Sequence, residues 1–265
     1  MVKQLTRFLI IVMFILMLCS ICGTAAAVTR PIGPSSTPQG DFRTVGSVVN
    51  FGSYEQDNYI GNGREDIEWI VLEYDPNGDY ALLISRYCLD AHYFSKESYL
   101  AWSTSDIRSW LNDTFYYAAF SNGERNAVLM AEVETVRANG RLETTQDRVF
   151  LLSKEEAMQY FPGRTWNESE EVAARRAVPT AYAVANGAYQ SNKTFVEGQG
   201  TTCWWLRSYY GDNGKTGTAY REYANGVRES GSIYGYSLKT YNTNKWYGVR
   251  PVIWISVQEA ENASD

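Results

Sequence analysis

Histidine is nearly missing from this chain, with His92 as its single example. Zinc centres built on two histidines and iron sites built on three are therefore excluded. His92 sits in "LDAHYFSKE", a loop after a strand, and no Gly-x-Ser-x-Gly elbow accompanies it, so a serine triad has no support. A packing or surface role is expected. Cysteine is scarce too: Cys19 and Cys22 fall in the N-terminal apolar run, which leaves Cys88 and Cys203. In an oxidising compartment these two can form a disulfide. Spacing equally allows two separate thiols, because it does not place their Cα atoms within bonding distance. With so few thiol and imidazole groups, neither a metal site nor a cofactor is expected. Basic runs are absent and the net charge is −6, which argues against nucleic acid, whose phosphates demand clustered Lys and Arg.

Long apolar runs are also lacking, except at the start. Lys3 and Arg7 precede a nearly unbroken apolar stretch from Phe8 to Gly23, and Thr24-Ala25-Ala26-Ala27 supplies an Ala-x-Ala site. Residues 1–27 read as a secretory signal cleaved after Ala27. The alternative is an uncleaved anchor, although about sixteen residues is short of the roughly twenty that a spanning helix needs. Membrane contact is expected only through this segment, if it is retained. Residues 28–44 hold three of the seven prolines and no apolar periodicity, the mark of a linker. A single domain over 45–257 and a polar tail over 258–265 complete the organisation.

A phosphate-binding loop is suggested by Gly214-Lys215-Thr216 and fails on inspection. The loop needs Gly five positions before Gly214, where Tyr209 stands, and Gly217 falls where a helix should start. No nucleotide is expected; Gly211-Asp212-Asn213-Gly214 is turn chemistry. Asp75-Pro76-Asn77-Gly78-Asp79 resembles a fragment of a calcium loop but lacks its order and its terminal Glu. It too reads as a turn. Glu155 and Glu156 fit a first helical turn, Glu170 and Glu171 a solvated helix start.

What the chain does contain is a strand-rich beginning, a helical middle and a strand-rich end. "DIEWIVLEYDPNGDYALLISRY" (66–87) predicts a hairpin about the Asp-Pro-Asn-Gly turn, with Ser47–Phe51 as a strand beside it. Ser103-Thr104-Ser105-Asp106 and Ser153-Lys154-Glu155-Glu156 are capping-box patterns that head two short helices, and Thr180–Asn186 reads as a third, with Gly187 in the stop position. Val149–Leu152 reads as a short strand. Strands return from Cys203 to "VRPVIWI", so the fold class is α+β, short antiparallel strands with a helical middle section. Trp204, Trp205 and Trp254 are expected in or near the core. Arg207 and Arg250 are expected partly buried and paired, since an unpaired buried charge is costly.

Residues 204–255 hold the tyrosines Tyr209, Tyr210, Tyr220, Tyr223, Tyr234, Tyr236, Tyr241 and Tyr247 among Gly, Asn, Ser and Thr. That mixture suits a contact surface, and it equally suits cross-strand packing without a ligand. As a binding surface it would comprise Tyr209, Tyr210, Asp212, Arg221, Tyr223, Tyr234, Tyr236, Tyr241 and Trp246.

The blocks "VNFGSYEQD", "IEWIVLEY", "ALLISRYCLD", "SDIRSWLND", "DRVFLLSKEEA", "PTAYAVANGAY", "CWWLRS" and "VRPVIWI" occur in this order across 46–256. Together they resemble an uncharacterised family of bacterial extracellular domains common in gut Firmicutes, from which no catalytic residue carries over. The ending "WWLRS…VRPVIWI" is similar to the C-type-lectin-like fold of formylglycine-generating-enzyme relatives. That resemblance implies a C-type-lectin-like core. The lectin motifs Glu-Pro-Asn and Trp-Asn-Asp are not in the chain, and of the cysteine and histidine sites those enzymes use only Cys203 stands nearby. The reading that follows is a secreted, non-catalytic module binding an extracellular glycan or protein through its C-terminal region. The alternatives are a degenerate formylglycine-type or glycan-active enzyme, and a structural cell-envelope protein. N-terminal analysis of exported material should start at Val28; exported chains that keep Met1 would overturn the cleavage site.

Overall fold

The computed structural model describes residues 40–96, 101–137, 140–165, 167–196, 198–209, 223–237 and 247–263. Contacts divide the chain into Met1–Gly33 and Pro34–Asp265, and every described residue belongs to the second unit. Local chemistry sets its first elements. Strands β1 (Val48–Tyr54), β2 (Glu65–Asp75) and β3 (Tyr80–Ser85) make an antiparallel meander. The β2–β3 turn closes as its residues imply: Asp75 accepts the Asn77 N–H at 2.9 Å, and Asp79 adopts φ +52°, a conformation Asp tolerates. The short β4 (Asp90–Ala91) follows.

The middle is helical, in short pieces. α1 (Asp106–Trp110) is capped by Ser105, continues through a π-helical turn (Leu111–Phe115) into α2 (Tyr116–Ala119), and is followed by α3 (Asn122–Ala127). Next come the hairpin β5 (Ala131–Val136) and β6 (Leu142–Asp147), then α4 (Lys154–Tyr160) and α5 (Ala181–Ala185). Ser153 and Glu156 form the expected reciprocal capping box on α4, at 3.1 and 2.8 Å. Strands resume with β7 (Thr194–Val196), β8 (Gln199–Gly200), β9 (Trp204–Tyr209), β10 (Tyr223–Val227), β11 (Ile233–Ser237), β12 (Gly248–Val249) and β13 (Val252–Ser256), and α6 (Val257–Ala263) follows.

Two sheets organise the core, one ordered β1-β2-β3-β13 and the other β11-β10-β9-β12-β4. The β12–β9 contact is parallel and every other named pairing is antiparallel, so the class is α+β. All six residues of β9 are buried. Trp69, Trp102, Trp204 and Trp205 are also fully buried. Each indole N–H is satisfied, donating to Phe51 O, Asp147 Oδ2, Arg175 O and His92 O respectively at 2.7 to 3.0 Å. A buried indole needs such an acceptor, and here each one ties the core to another segment.

Several expectations need correction. The linker does not reach Thr44: Phe42 is buried, and Arg43 pairs with Asp79 at 2.9 Å and with Glu261 at 2.5 Å. The tail over 258–265 is helical as far as Ala263, because Val257 and Ala260 share a buried stripe that polar neighbours disguise. Val149–Leu152 forms no strand beyond a bridge from Phe150 to Val252. Glu170 opens no helix; it accepts the N–H groups of Arg164 and Thr165 and so closes a loop.

The cysteines and Arg250 also differ from expectation. No disulfide joins Cys88 to Cys203. Cys88 is buried, which pushes its thiol up to about 12, while the Cys203 thiol donates to Glu229 at 3.3 Å. Arg250 is buried yet has no carboxylate partner among the described residues. Its Nε donates to Ser85 O at 2.7 Å, and its guanidinium lies 5.2 Å from the Trp204 ring and 5.3 Å from that of Phe161. Ring faces stand where an anion was expected, and burial lowers the pKa to about 10.

Trp204→Ala should therefore cost about 3–5 kcal/mol, the cost of emptying a large aromatic site. Tyr234, exposed on β11, should change stability by less than about 0.5 kcal/mol when replaced by Ala. Urea melts of the two variants check this; equal losses would place Tyr234 in the core.

Candidate binding cleft

The tyrosine-rich surface divides. Tyr209 is not displayed: it is 8 % exposed, its hydroxyl has no hydrogen-bond partner among the described residues, and burial raises its pKa, with a smaller push from Glu143. The reason is its place at the end of β9, a strand buried throughout. Tyr234 does face solvent, with the Arg228 guanidinium 4.3 Å over its ring. Tyr223 and Tyr236 contribute their backbones to the β10–β11 pairing. Tyr210, Asp212, Tyr220, Arg221, Tyr241 and Trp246 lie outside the described residues. Tyr247 is buried against Trp205, ring centroids 4.3 Å apart. His92 is a packing residue, stacked on Trp110 at 5.1 Å.

The described residues enclose a cleft of about 510 Å3 between the β5–β6 hairpin, the start of α4 and the β3–β13 pair. That volume is within the usual range of small-ligand sites. Its floor depends on Arg207. This side chain leaves β9 and is 3 % exposed. It donates from Nη1 and Nη2 to both Glu156 oxygens, from Nη1 to Leu151 O at 2.6 Å, from Nη2 to Glu134 O at 3.0 Å, and from Nε to Thr135 Oγ1 at 3.2 Å. A bidentate guanidinium–carboxylate pair with its remaining donors satisfied is the arrangement in which a buried charge is tolerable. Glu156 thus serves two structures, capping α4 and neutralising Arg207.

Trp254 and Tyr160 supply ring surface to the cleft, both half-buried. The Tyr160 hydroxyl donates to Glu73 at 2.6 Å, and burial, reinforced by that carboxylate, raises its pKa. Trp254 pairs with Leu82 across β13 and β3, which carries its ring to the cleft wall. Glu132, Glu134 and Glu155 add carboxylates that solvent also reaches. The cleft can therefore stack a ring or an apolar face, and it can accept hydrogen bonds or positive charge. Among the described residues that line it there is no histidine or cysteine.

Sequence reasoning named Arg207 as a paired, partly buried residue and Trp254 as a core residue, placed neither in a cleft, and missed the hairpin. The signal was present: "AEVETV" and "LETTQD" alternate with period two around Asn139-Gly140.

A second acidic group, Glu55, Asp57 and Glu65, brings carboxylate oxygens within 4.8 Å of one another. These oxygens already serve their own loop, accepting the N–H groups of Gln56, Asp57 and Tyr59. Burial raises the Glu55 pKa, and Glu65 adds to it. The arrangement is accounted for as loop scaffolding.

A family model described as a domain of unknown function, DUF6273, matches residues 78–257. The chain belongs to this family. The match includes every residue lining the cleft and leaves out the Glu55–Glu65 loop. No curated protein and no solved structure matches the chain.

Glu156→Ala should cost about 3 kcal/mol, the low end for breaking a buried pair, because Glu156 is 32 % exposed. Glu156→Gln should cost less, since it keeps one acceptor for Arg207. Chemical denaturation distinguishes them; equal and small losses would show that the pair does not hold the floor.

Proposed function

We propose that this chain is a secreted binding module with a C-type-lectin-like core that recognises an extracellular glycan or protein in the cleft. One observation carries the reading: half-buried Trp254 and Tyr160 stand beside carboxylates on a floor fixed by Arg207. Rigid rings with adjacent acceptors bind without ordering flexible groups first. The return of β13 beside β3, with β9 and β12 in a second sheet, supports the lectin-like core. The apolar start of the chain supports export, and among the described residues no helix is long and apolar enough to cross a membrane. Binding is favoured over catalysis because Glu156, the best-sheltered carboxylate of the cleft, is committed to Arg207 and the α4 cap. Tyr234 and Arg228 on and beside β11 offer a second contact surface.

Glycan and peptide arrays probed with the exported chain, with Trp254→Ala and with Glu134→Lys, test the reading. At least one ligand should bind, and each substitution should weaken it tenfold or more while melting stays cooperative. Ligands indifferent to both substitutions would place recognition elsewhere. Glycan hydrolysis abolished by Glu132→Gln or Glu134→Gln would replace the module with an enzyme.

A further inference from the structure

The wall of the cleft formed by β5 is a strand edge. Ala131, Glu132, Val133 and Glu134 all line it. Successive side chains of a strand point to opposite faces, so four consecutive lining residues mean that the edge itself looks into the cleft. The hydrogen-bond parity agrees. Arg137 N–H bonds Arg141 O at 2.8 Å, and the register pairs Thr135 with Glu143 and Val133 with Thr145. In an antiparallel ladder, alternate residues then turn their N–H and C=O groups away from the partner. Those residues are Glu132, Glu134 and Val136. One outward carbonyl, that of Glu134, is found on Arg207 Nη2. Among the described residues the hairpin is a two-stranded sheet, with no third strand on this side. Just before β5 the chain still bonds β13, through Leu129 N–H to Trp254 O at 2.8 Å. From Ala131 the cleft opens along it.

An edge inside a cleft that is met only at the Glu134 carbonyl, by Arg207, and has no strand partner among the described residues is a template for an incoming strand. The charge around it says what kind. Glu132 and Glu134 project from the exposed face of β5, and Glu155 and Glu156 stand across the cleft; among the described lining residues they face the single guanidinium of Arg207. Arg207 is already matched by Glu156. Lys154 lies 3.8 Å from Glu155 and 3.1 Å from Glu168, outside the cleft lining. The uncompensated charge is negative. Val136 and Leu142, 57 % and 56 % exposed, give the far end an apolar lip.

Resting on the proposed binding role of this cleft, we infer that its occupant is an extended polypeptide segment with Lys or Arg at alternate positions, added as a third strand beside β5. Alternate basic side chains would lie on one face of the added strand, opposite Glu132 and Glu134. The outward N–H groups of Glu132, Glu134 and Val136, which have no partner among the described residues, would bond its carbonyls. Its apolar residues would meet Trp254 on the other side.

The test uses the exported chain and fluorescent nine-residue peptides with Lys at every second position, read by anisotropy. Partners in the series carry Glu for Lys, or N-methyl groups on alternate amides. The Lys series should bind, with at least tenfold weakening for Glu replacement and for N-methylation on one of the two amide sets. Val136→Pro removes only an outward N–H, which an edge strand tolerates; it should weaken binding tenfold with an unchanged melting temperature. Glu134→Lys should do the same and flatten the salt dependence. Binding insensitive to N-methylation overturns strand addition. Self-association abolished by Val136→Pro overturns it as well, since a second copy would then be the occupant. A glycan that binds in the cleft while no basic peptide does overturns the peptide and leaves the module standing. No ligand of any class sensitive to cleft substitutions overturns both.

Discussion

One guanidinium sets the interior geometry of this domain. Arg207 is planted in a strand buried along its whole length, and its five donors must all be met, because an unsatisfied charge there would cost more than most single contacts supply. They are met by the α4 cap, by the carbonyl of Leu151, and by a carbonyl and a hydroxyl of β5. Three segments, β5, residues 151–156 and β9, are thereby fixed relative to one another. The cleft is the space left between them, and its shape follows from a requirement for hydrogen bonds as much as from apolar packing.

The same requirement recurs through the core. Four buried indoles each seek one acceptor, and all four find it on a different segment. Asp147 takes the Trp102 N–H, an Arg108 donor at 2.6 Å and the Thr145 hydroxyl at the same distance, so one carboxylate joins α1 to the hairpin. Asn112, at the π-helical turn, accepts the Arg148 N–H and donates to Val149 O, standing in for a strand neighbour that the short connection does not provide. Helices of four to seven residues gain little from propensity alone; these polar bridges, together with burial, account for their order. Arg250 follows a different solution, with ring faces in place of anions.

What could be read in the sequence was local. The Asp-Pro-Asn-Gly turn, the Ser153–Glu156 box and the Thr180 cap are written within four or five residues, and each forms as its chemistry dictates. Burial of Trp204 was legible from its strand-like apolar block. The partner of Arg207 was not, because it is 51 residues away. In composition Tyr209 looked like the other tyrosines of 204–255. Its burial comes from the hairpin packed over the end of β9, which no window around residue 209 contains. The edge of β5 escaped notice for a similar reason: alternation marks a strand, but only the assembled sheet shows which of its sides lacks a partner.

Arg43 has a consequence for connectivity. By holding the β2–β3 turn through Asp79 and the last helix through Glu261, it keeps the opening and closing segments of the described chain side by side. Ends that lie together can be joined and the chain reopened in a surface loop without moving the core. The domain is thus suited to circular permutation, or to insertion as a unit into a loop of a host protein.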